Sequence, residues 1–431
     1  MNPMKITKVK QNMKEVERLC SRGVAPSEEI LQTVKKILGD IRTGGLPKAI
    51  EYAKMYDGLK GKDLAIDEYE LSRQARQVPQ SLAKAMRCAV RNVEIFHKRE
   101  KKDLRRFAYR GRYGEILGQR MRPLHRVGLY VPGGAGVYPS TVMMNVVPAL
   151  VAGVDEIVVV TPAKGGIHPT VAYMLLVLGI REVYHIGGAQ AIGLLAYGAK
   201  GIAPVDKIVG PGNVFAAVAK KEVFGTVDID MIAGPSEILV LADKSSNPEF
   251  VAADLLSQAE HGSGFEAAIC ITDSVDVAKK ISNCVEAQVK DSPKREILEK
   301  ALSNYGSILV VDNWEEGIAL ANRIAPEHIE IMTENAEEMS SKIVNAGAVF
   351  VGPWSSEPIG DYFAGPDHVL PTNGTARFSS PLGVYDFMKR SSYIEYTEKA
   401  LKKNGEAIAE IAMAEGFYHH AQAVLKRLKS E

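Results

Sequence analysis

Short apolar segments alternate with helical segments from Arg126 to about Gly352, and this alternation restricts the possible fold more than any other feature. The first series predicts strands over 126–131, 156–161, 182–187 and 206–210, with helices over 140–151, 169–178, 190–197 and 214–223. The second series predicts strands over 237–242, 267–272, 307–312, 329–333 and 348–352, with helical patterns between them. Apolar strands that alternate with helices form parallel sheets covered on both faces. We therefore predict two doubly wound, incomplete Rossmann-like α/β domains, with ligands bound in a cleft at the carboxyl ends of the strands.

The chain on either side of these series is predicted to be mainly helical. Ser27 is a good N-cap for a helix over 27–38, another helical pattern covers 79–98, and residues 106–124 alternate enough for a strand pair. The residues after about Leu382 are predicted to be helical, without a strand. They are too few to bury a core alone, so they must dock on this chain or on a partner. We predict an N-terminal helical arm (1–25), a first α/β domain (26–125 plus 237–381) carrying most metal and catalytic residues, a second, NAD-binding domain (126–236) and a C-terminal helical tail (382–431).

Composition excludes several classes of function. The formal net charge of +1 gives no electrostatic reason to expect a nucleic acid or a membrane surface as partner. The four cysteines are widely separated and form no CxxC pair, which argues against a disulfide framework and a cysteine zinc site and fits a reducing compartment. The N-terminus lacks the apolar core of a signal peptide, and no apolar run is long enough to span a bilayer. We expect a soluble, cytoplasmic protein.

Four polar segments interrupt this apolar pattern, and they hold five of the nine histidines. The segments are SQAEHG (257–262), PEH (326–328), GDYFAGPDHVLPT (360–372) and EGFYHH (415–420). Each histidine has a carboxylate or a carboxamide within a few positions. Imidazole, carboxylate and amide oxygen together suit a borderline divalent metal such as zinc, with manganese and cobalt also possible, and they equally suit general acid–base catalysis.

The first two segments offer a ligand pair and an acid–base pair. At helical spacing Asp254, Gln258 and His261 share one side of a helix that starts after Asn247, so Gln258 and His261 can point at one ion. A solvated helix face is the alternative. Pro326 stops the preceding helix at residue 325 and leaves Glu327 and His328 in a turn. These two form a compact acid–base pair, or else an imidazole beside a helix C-terminus.

The other two segments offer further ligands. Asp361 and His368 lie in a loop that is too polar and too rich in glycine and proline for core packing, with a plain surface loop as the alternative. In the last helix the apolar face borders His420, whereas His419 points to solvent, so His420 is the better candidate for a buried ligand. A site role for Glu415 requires that Gly416 break the helix.

The signal for nucleotide binding is weak. A G-x-G-x-x-G motif is absent, since residues 134–139 read GAGVYP. The strand, glycine turn and helix pattern only permits a phosphate at a helix N-terminus. Tyr130, Gln190 and Asn213 lie in or beside the turns YVPGG, GGAQ and GPGN at strand ends, where they could equally be turn residues.

Taken together and in this order, the motifs resemble the histidinol dehydrogenase family. The matching segments are YVPGG, YPSTVMMN, GGAQAI, KIVGPGN, AGPSE, SQAEHG, PEH, DHVLPT, GTARF and the terminal EG…HH. The resemblance extends from about Arg126 to Leu425 and is looser before that. It implies oxidation of L-histidinol to L-histidine with two NAD molecules and one zinc ion per site.

The resemblance also assigns roles to residues. It implies that the zinc ligands are Gln258, His261, Asp361 and His420, and that Glu327 and His328 are catalytic. It implies NAD contacts by Tyr130, Gln190 and Asn213. The implied substrate contacts are the four zinc ligands together with His328, Ser236, His368 and Glu415. The family is a homodimer whose C-terminal segment completes the neighbour's site. None of the four cysteines falls in a matched motif, so a covalent thiohemiacetal has no residue to carry it.

Three other functions stay open at this point. A related zinc- and NAD-dependent dehydrogenase could act on a different polar alcohol. A zinc hydrolase could use Glu327 to activate a metal-bound water. A non-catalytic, metal-stabilised dimer would leave the adjacent Glu327 and His328 unexplained. Formation of reduced nicotinamide separates the dehydrogenases from the hydrolase.

Overall fold

The computed structural model describes residues 4–22, 26–133, 137–162 and 164–429, so part of the GGAGVYP turn, part of the predicted N-terminal arm and the last two residues lie outside the described residues. The strands, in chain order, are β1 (Lys5–Lys8), β2 (Phe107–Arg110), β3 (Ile116–Pro123), β4 (Arg126–Tyr130), β5 (Glu156–Thr161), β6 (Val183–His185), β7 (Lys207–Val209), β8 (Asp228–Ile229), β9 (Glu237–Ala242), β10 (Ala267–Thr272), β11 (Gly306–Val310), β12 (His328–Met332), β13 (Ala348–Val351) and β14 (Met388–Glu395).

The α-helices occupy most of the chain between these strands. They are α1 (Met13–Cys20), α2 (Glu28–Tyr56), α3 (Glu68–Ala75), α4 (Gln80–Asp103), α5 (Pro139–Ala152), α6 (Pro169–Val177), α7 (Gly188–Tyr197), α8 (Val214–Val223), α9 (Pro248–Ala259), α10 (Val275–Asp291), α11 (Arg295–Tyr305), α12 (Trp314–Ile324), α13 (Ala336–Ser340), α14 (Glu357–Tyr362), α15 (Glu398–Ala414) and α16 (Tyr418–Leu428). Helix α2 is interrupted at Gly45, whose φ of 55° suits glycine, two positions before Pro47.

A six-stranded parallel sheet has the order β1-β11-β10-β9-β12-β13. Alternate residues of its central strand β9 enter different cores. Ile238 and Val240 pack with α9, α10 and α11 on one face, whereas Leu239 and Leu241 pack with α1, α12 and α13 on the other. Because side chains alternate across a strand, a central strand covered on both faces is apolar over most of its length, as Ile238 to Ala242 are.

A five-stranded parallel sheet has the order β6-β5-β4-β7-β8. One face is covered by α3, α4, α5 and α6, and the other by α2, α7 and α8. The prediction of two doubly wound parallel sheets, with a helical N-terminal region and helices at the C-terminus, is therefore confirmed.

The predicted grouping of the N-terminal residues differs from the observed packing. Helices α2, α3 and α4 pack on α7, α6 and α5, so they cover the five-stranded sheet and not the sheet formed by 237–351. The predicted helical arm contains β1, which extends the six-stranded sheet beside β11. Helical periodicity shows which side of a helix is buried but not which sheet buries it, and this explains the difference.

The C-terminal tail also contains a strand that the sequence analysis did not predict. Strand β14 pairs antiparallel with β3, which pairs with β2. The strand pair predicted over 106–124 is thus confirmed and is part of a three-stranded sheet. Every position of β14 is exposed or half-buried, so no apolar alternation marks it in the sequence. After β14, α15 and α16 pack against each other as an antiparallel pair. Within the described residues, no helix is both long and apolar enough to span a membrane.

Candidate active site

The predicted catalytic pair lies at the amino ends of the strands of the six-stranded sheet. Glu327 immediately precedes β12 and His328 is its first residue, while Ser236 precedes the neighbouring strand β9. We expected ligands at the carboxyl ends of the strands, and for this sheet that expectation is wrong. Helix α9 runs back along the sheet and ends beside these strand starts, which brings Gln258 to the same edge.

A tight turn places the pair. Helix α12 ends at Ile324, and Ala325 takes a left-handed conformation with φ 48° before Pro326. The predicted helix end is confirmed. An alanine in this region of φ costs roughly 1–3 kcal/mol, and such strain is found where the surrounding structure holds a functional residue in place. Both Glu327 and His328 are buried.

The ring of His328 is held by one nitrogen and leaves the other unused. Its Nδ1 lies 2.9 Å from the backbone oxygen of Glu237, and since a carbonyl only accepts, Nδ1 carries the proton. Its Nε2 is buried without a hydrogen-bond partner in the described part of the chain. Burial, together with the neighbouring imidazoles of His368 and His261, lowers the pKa of His328 to about 4, although the hydrogen bond to the backbone of Glu237 opposes this shift. The ring is therefore neutral at pH 7, with a free electron pair on Nε2.

Glu327 is held by the same residue of β9. Its Oε2 accepts a hydrogen bond of 2.8 Å from the backbone amide of Glu237 and lies 3.6 Å from Nδ1 of His328. Burial raises the pKa of Glu327 well above its usual range, and the nearby carboxylates of Glu237, Asp361 and Glu357 raise it further. A carboxyl group with a raised pKa beside a neutral imidazole is suited to proton transfer.

A group of possible metal ligands faces the free nitrogen of His328. Ligand atoms of His328, Glu357 and Asp361 all lie within 4.8 Å of one another. Nε2 of His328 is 3.6 Å from Oε1 of Glu357 and 4.0 Å from Oδ1 of Asp361. Oε1 of Glu357 and Oε1 of Gln258 are also buried without a hydrogen-bond partner among the described residues. Buried polar atoms are rarely unpaired in folded proteins, so the two oxygens fit a site for a cation, beside which Nε2 of His328 is free to accept a proton.

Glu357 was missed by the sequence analysis. It is the first residue of α14 and lies four positions before Asp361, so the two carboxylates share one side of that helix. The four-residue spacing between Glu357 and Asp361 was the sequence signal that could have identified Glu357. Burial and the charge of Asp361 raise the pKa of Glu357, and hydrogen bonds from Gln258 and Ser257 offset this in part. Asp361 was expected in a loop and lies in this short helix instead.

The remaining predicted substrate residues on this domain surround the same group. Nδ1 of His368 lies 3.1 Å from the backbone oxygen of Asp361, and His328, Asp361 and His368 line one cavity of about 570 Å³. Nδ1 of His261 lies 3.5 Å from Oγ of Ser236 at the solvent side. Desolvation by the surrounding protein lowers the pKa of His261. Asp254 and Gln258 are buried, so the solvated-face alternative fails for them, whereas His261 is exposed. In the 360–372 segment, residues 369–372 are buried and residues 362–364 are exposed, so a plain surface loop describes only part of it.

Glu415 and His420 are not brought to this group within one chain. Both are exposed on the antiparallel pair α15 and α16, and the ring of His420 contacts Phe417. His419 is exposed as well, so one chain does not distinguish the two histidines by burial. Gly416 breaks the helix with φ 82°, which is the condition set for a site role of Glu415.

A second cavity, of about 480 Å³, lies at the carboxyl ends of the five-stranded sheet. Tyr130, Gln190 and Asn213 all line it. The hydroxyl of Tyr130 accepts a hydrogen bond of 3.0 Å from the amide of Gly188. The side chain of Asn213 caps α8 by accepting from two backbone amides. The three predicted NAD contacts thus surround one opening at the edge where doubly wound sheets bind ligands.

Asp57 also lines this cavity and was missed. It follows α2, and its Oδ2 accepts hydrogen bonds of 3.0 Å from the amide of Gly187 and from Nε2 of Gln190. Burial raises the pKa of Asp57 despite these bonds. No sequence signal linked a residue from the N-terminal helices to a turn 130 positions later.

Comparison with known proteins identifies the family of this chain. The family model for histidinol dehydrogenase matches residues 20–428. The histidinol dehydrogenase of Geobacillus kaustophilus is 48% identical over 405 residues, which cover 94% of this chain and 95% of the relative. That of Bacillus cereus is 45% identical over 423 residues, which cover 98% of each chain. The crystal structure of histidinol dehydrogenase from Elizabethkingia anophelis superposes with a TM-score of 0.92 at 36% identity, covering 99% of this chain and 98% of that one. This chain therefore belongs to the histidinol dehydrogenase family.

Proposed function

We propose that this protein oxidises L-histidinol to L-histidine in two successive two-electron steps, as the last reactions of histidine biosynthesis. Two NAD molecules would accept the hydrides, and one zinc ion would be bound in each site. The observation that carries the proposal is the group formed by His328, Glu357 and Asp361, whose ligand atoms lie within 4.8 Å of one another, and in which Nε2 of His328 and Oε1 of Glu357 have no hydrogen-bond partner among the described residues.

The donor set at this point fits a divalent ion. Gln258, His261 and Asp361 would hold zinc. His420 from a second copy of the chain would complete the set, because His420 is exposed on the helix pair α15 and α16 of its own chain. When bound, zinc would orient the substrate by its imidazole and amino nitrogens, and NAD would accept hydride. Ser236, His368 and Glu415, with the ligands and His328, would contact the substrate.

His328 is the base for the alcohol step. Its Nδ1 proton is engaged by the carbonyl of Glu237, so the electron pair on Nε2 faces the site. Nε2 accepts the proton of the substrate hydroxyl, while hydride leaves the carbon that bears this hydroxyl. Because burial lowers the pKa of His328 to about 4, the base is already neutral at pH 7.

Glu327 acts on the aldehyde formed in the first step. Its carboxylate takes a proton from a water molecule, whose oxygen adds to the aldehyde carbon. Nε2 of His328 returns to the aldehyde oxygen the proton that it took in the first step, which gives the hydrated aldehyde and leaves His328 neutral again. Nε2 of His328 then accepts a hydroxyl proton of this hydrate while the second hydride leaves. Burial raises the pKa of Glu327, so its carboxylate is a stronger base once formed, and the hydrogen bond from the amide of Glu237 favours that ionised form.

The cavity at the five-stranded sheet is the proposed NAD site. Tyr130, Gln190 and Asn213 line it, and Asp57 holds Gln190 and the turn at Gly187 in place. We also propose a homodimer in which residues 382–431 dock on the neighbouring subunit. Exposed His420 and Glu415 on that tail support this arrangement.

Absorbance of reduced nicotinamide tests the proposal directly. Purified protein with NAD and L-histidinol should form two NADH per histidinol, lose activity on chelation and regain it with zinc. One NADH per substrate would indicate a simple alcohol dehydrogenase. No NADH with L-histidinol, but turnover of another polar alcohol, would keep the family and replace the substrate. No NADH with any alcohol would contradict the proposed function.

A further inference from the structure

A buried ion pair joins the N-terminal segment to the start of β9. Nε of Arg22 donates to Oε1 of Glu237 at 2.9 Å, and Nη2 donates to Oε2 at 2.7 Å. Both side chains are 3% exposed. Two parallel hydrogen bonds between a guanidinium and a carboxylate are the most directional form of ion pair, so the pair holds Glu237 in one position.

The backbone of Glu237 contacts both proposed catalytic side chains. Its amide donates to Oε2 of Glu327 at 2.8 Å, and its carbonyl accepts from Nδ1 of His328 at 2.9 Å. The backbone of Glu237 therefore positions the carboxylate of Glu327 and selects the tautomer of His328 in which Nε2 carries no proton. A base oriented by a hydrogen bond to its other nitrogen is a recurring arrangement in enzymes.

The side chain of Glu237 ties this residue to the surrounding loops. Besides Arg22, its carboxylate accepts from the amide of Glu327 at 3.3 Å and from the amide of Asn373 at 3.0 Å. Arg22 also donates to the backbone oxygen of Ile324 at 3.4 Å, where α12 ends before the strained turn at Ala325. The ion pair thus contacts both ends of the turn that carries Glu327 and His328.

We propose that Arg22 and the side chain of Glu237 are positioning residues, which keep the His328 ring in the Nδ1-protonated tautomer and Glu327 aligned for reaction. Neither side chain reaches the reacting atoms, so both act through the backbone of residue 237. This inference rests on the proposed function for its kinetic consequence. Its structural consequence, the tautomer of His328, does not depend on the substrate.

The variants are Arg22→Gln, Arg22→Lys and Glu237→Gln in the zinc-loaded protein. Arg22→Lys loses the two-pronged geometry but keeps the positive charge. Because the charge is kept, this variant should still fold. The matched control is Arg323→Gln, because Arg323 also links the N-terminal segment to α12 through an ion pair with Glu17, yet that pair is exposed and does not touch Glu237.

Two measurements decide the outcome. Steady-state kinetics should show kcat lowered about 10–100-fold with KM for L-histidinol changed less than about twofold, as expected for misplaced catalytic groups. Nitrogen NMR of ¹⁵N-histidine-labelled protein, with the His328 signals assigned through His328→Asn, should show protonated Nδ1 in the wild type and a mixture of tautomers in the variants. Arg323→Gln should match the wild type in both.

Arg22→Lys and Glu237→Gln proteins that are folded, keep wild-type kcat and keep Nδ1 protonated would overturn the inference. So would a wild-type protein whose His328 is protonated on Nε2. A wild type that forms no NADH with any alcohol contradicts the proposed function instead, and the NMR comparison still decides the positioning role.

Discussion

Nε2 of His328 lies 3.6 Å from Oε1 of Glu357, and both atoms are buried without a hydrogen-bond partner in the residues that the structure describes. Burial and the charge of Asp361 raise the pKa of Glu357 to about 9 in the metal-free protein, and a cation bound beside Oε1 would favour its ionised form. We predict that Glu357→Gln weakens zinc binding about 10–100-fold, the usual effect of removing a charged neighbour of metal ligands. Competition with a chromophoric chelator measures the affinity. Glu260→Gln, an exposed glutamate near the end of α9, should leave it unchanged. Equal affinities for Glu357→Gln and the wild type would contradict the prediction.

Glu327→Gln should separate the two oxidation steps. The substitution preserves the shape and the acceptor for the amide of Glu237 but removes the base that activates water. We expect the aldehyde step to fall about 10²–10⁴-fold, with a smaller loss in the alcohol step. Single-turnover NADH formation from L-histidinol and from L-histidinaldehyde measures each step. Exposed Glu334→Gln is the control. Equal losses in both steps would refute the assignment.

Asp57→Ala should weaken NAD binding without affecting the other substrate. The change leaves Nε2 of Gln190 and the amide of Gly187 without their acceptor, at a cost of about 1–3 kcal/mol for each buried unpaired group. We expect KM for NAD to rise at least about tenfold, equivalent to roughly 1.4 kcal/mol, with KM for L-histidinol unchanged. Asp57→Asn retains an acceptor oxygen and should have the smaller effect. Similar KM values for the alanine and asparagine variants would exclude the acceptor role.

The stability of the metal-free protein should depend on His368 in acid. Burial lowers the pKa of His368 to about 4, and the hydrogen bond with the backbone oxygen of Asp361 offsets this only in part. Since histidine in an unfolded chain titrates near about pH 6.5, folding favours the neutral ring. The stabilising contribution is fully present above about pH 6.5 and is lost as the pH falls towards about 4.

His368→Asn should remove this dependence. Between about pH 6.5 and 4 the wild type should lose about 3 kcal/mol more unfolding free energy than the variant. Urea unfolding at fixed protein concentration measures the difference, and exposed His419→Asn should follow the wild type. Parallel curves for His368→Asn and the wild type would show that His368 is not held neutral.

His420 should act in the site of the other subunit. We predict that His420→Asn releases zinc and that His419→Asn does not, as metal analysis after gel filtration would show. If the tail crosses between subunits, His420→Asn and Asp361→Asn proteins refolded together should regain about a quarter of wild-type activity, because half of the dimers would hold one intact site. No recovery in mixed dimers would place His420 in the site of its own chain.

The pattern of apolar and polar residues was enough to predict the two sheets and most of the elements around them. Continuous apolar segments such as EILVLA and AAICIT are compatible with burial on both faces, and turns rich in glycine and proline separate them from the helices. The motif order identified the family and, through it, Glu327 and His328. Both β9 and β10 occupy the residues predicted for them, because local pattern and tertiary environment demand the same residue types there.

Which distant segments meet depends on how the chain packs in three dimensions. Arg22 and Glu237 are separated by 215 positions, and Asp57 and Gln190 by 133, so neither pair leaves a local pattern in the sequence. Strand β14 has no apolar face, so its residue pattern does not predict a strand. Its strand conformation is evident from its pairing with β3. Helices α2 to α4 cover the five-stranded sheet because their apolar faces fit it, a match of surfaces that periodicity cannot specify. Periodicity depends on neighbours three or four residues apart, whereas the hydrogen bonds around Glu237 depend on the packing of the whole domain.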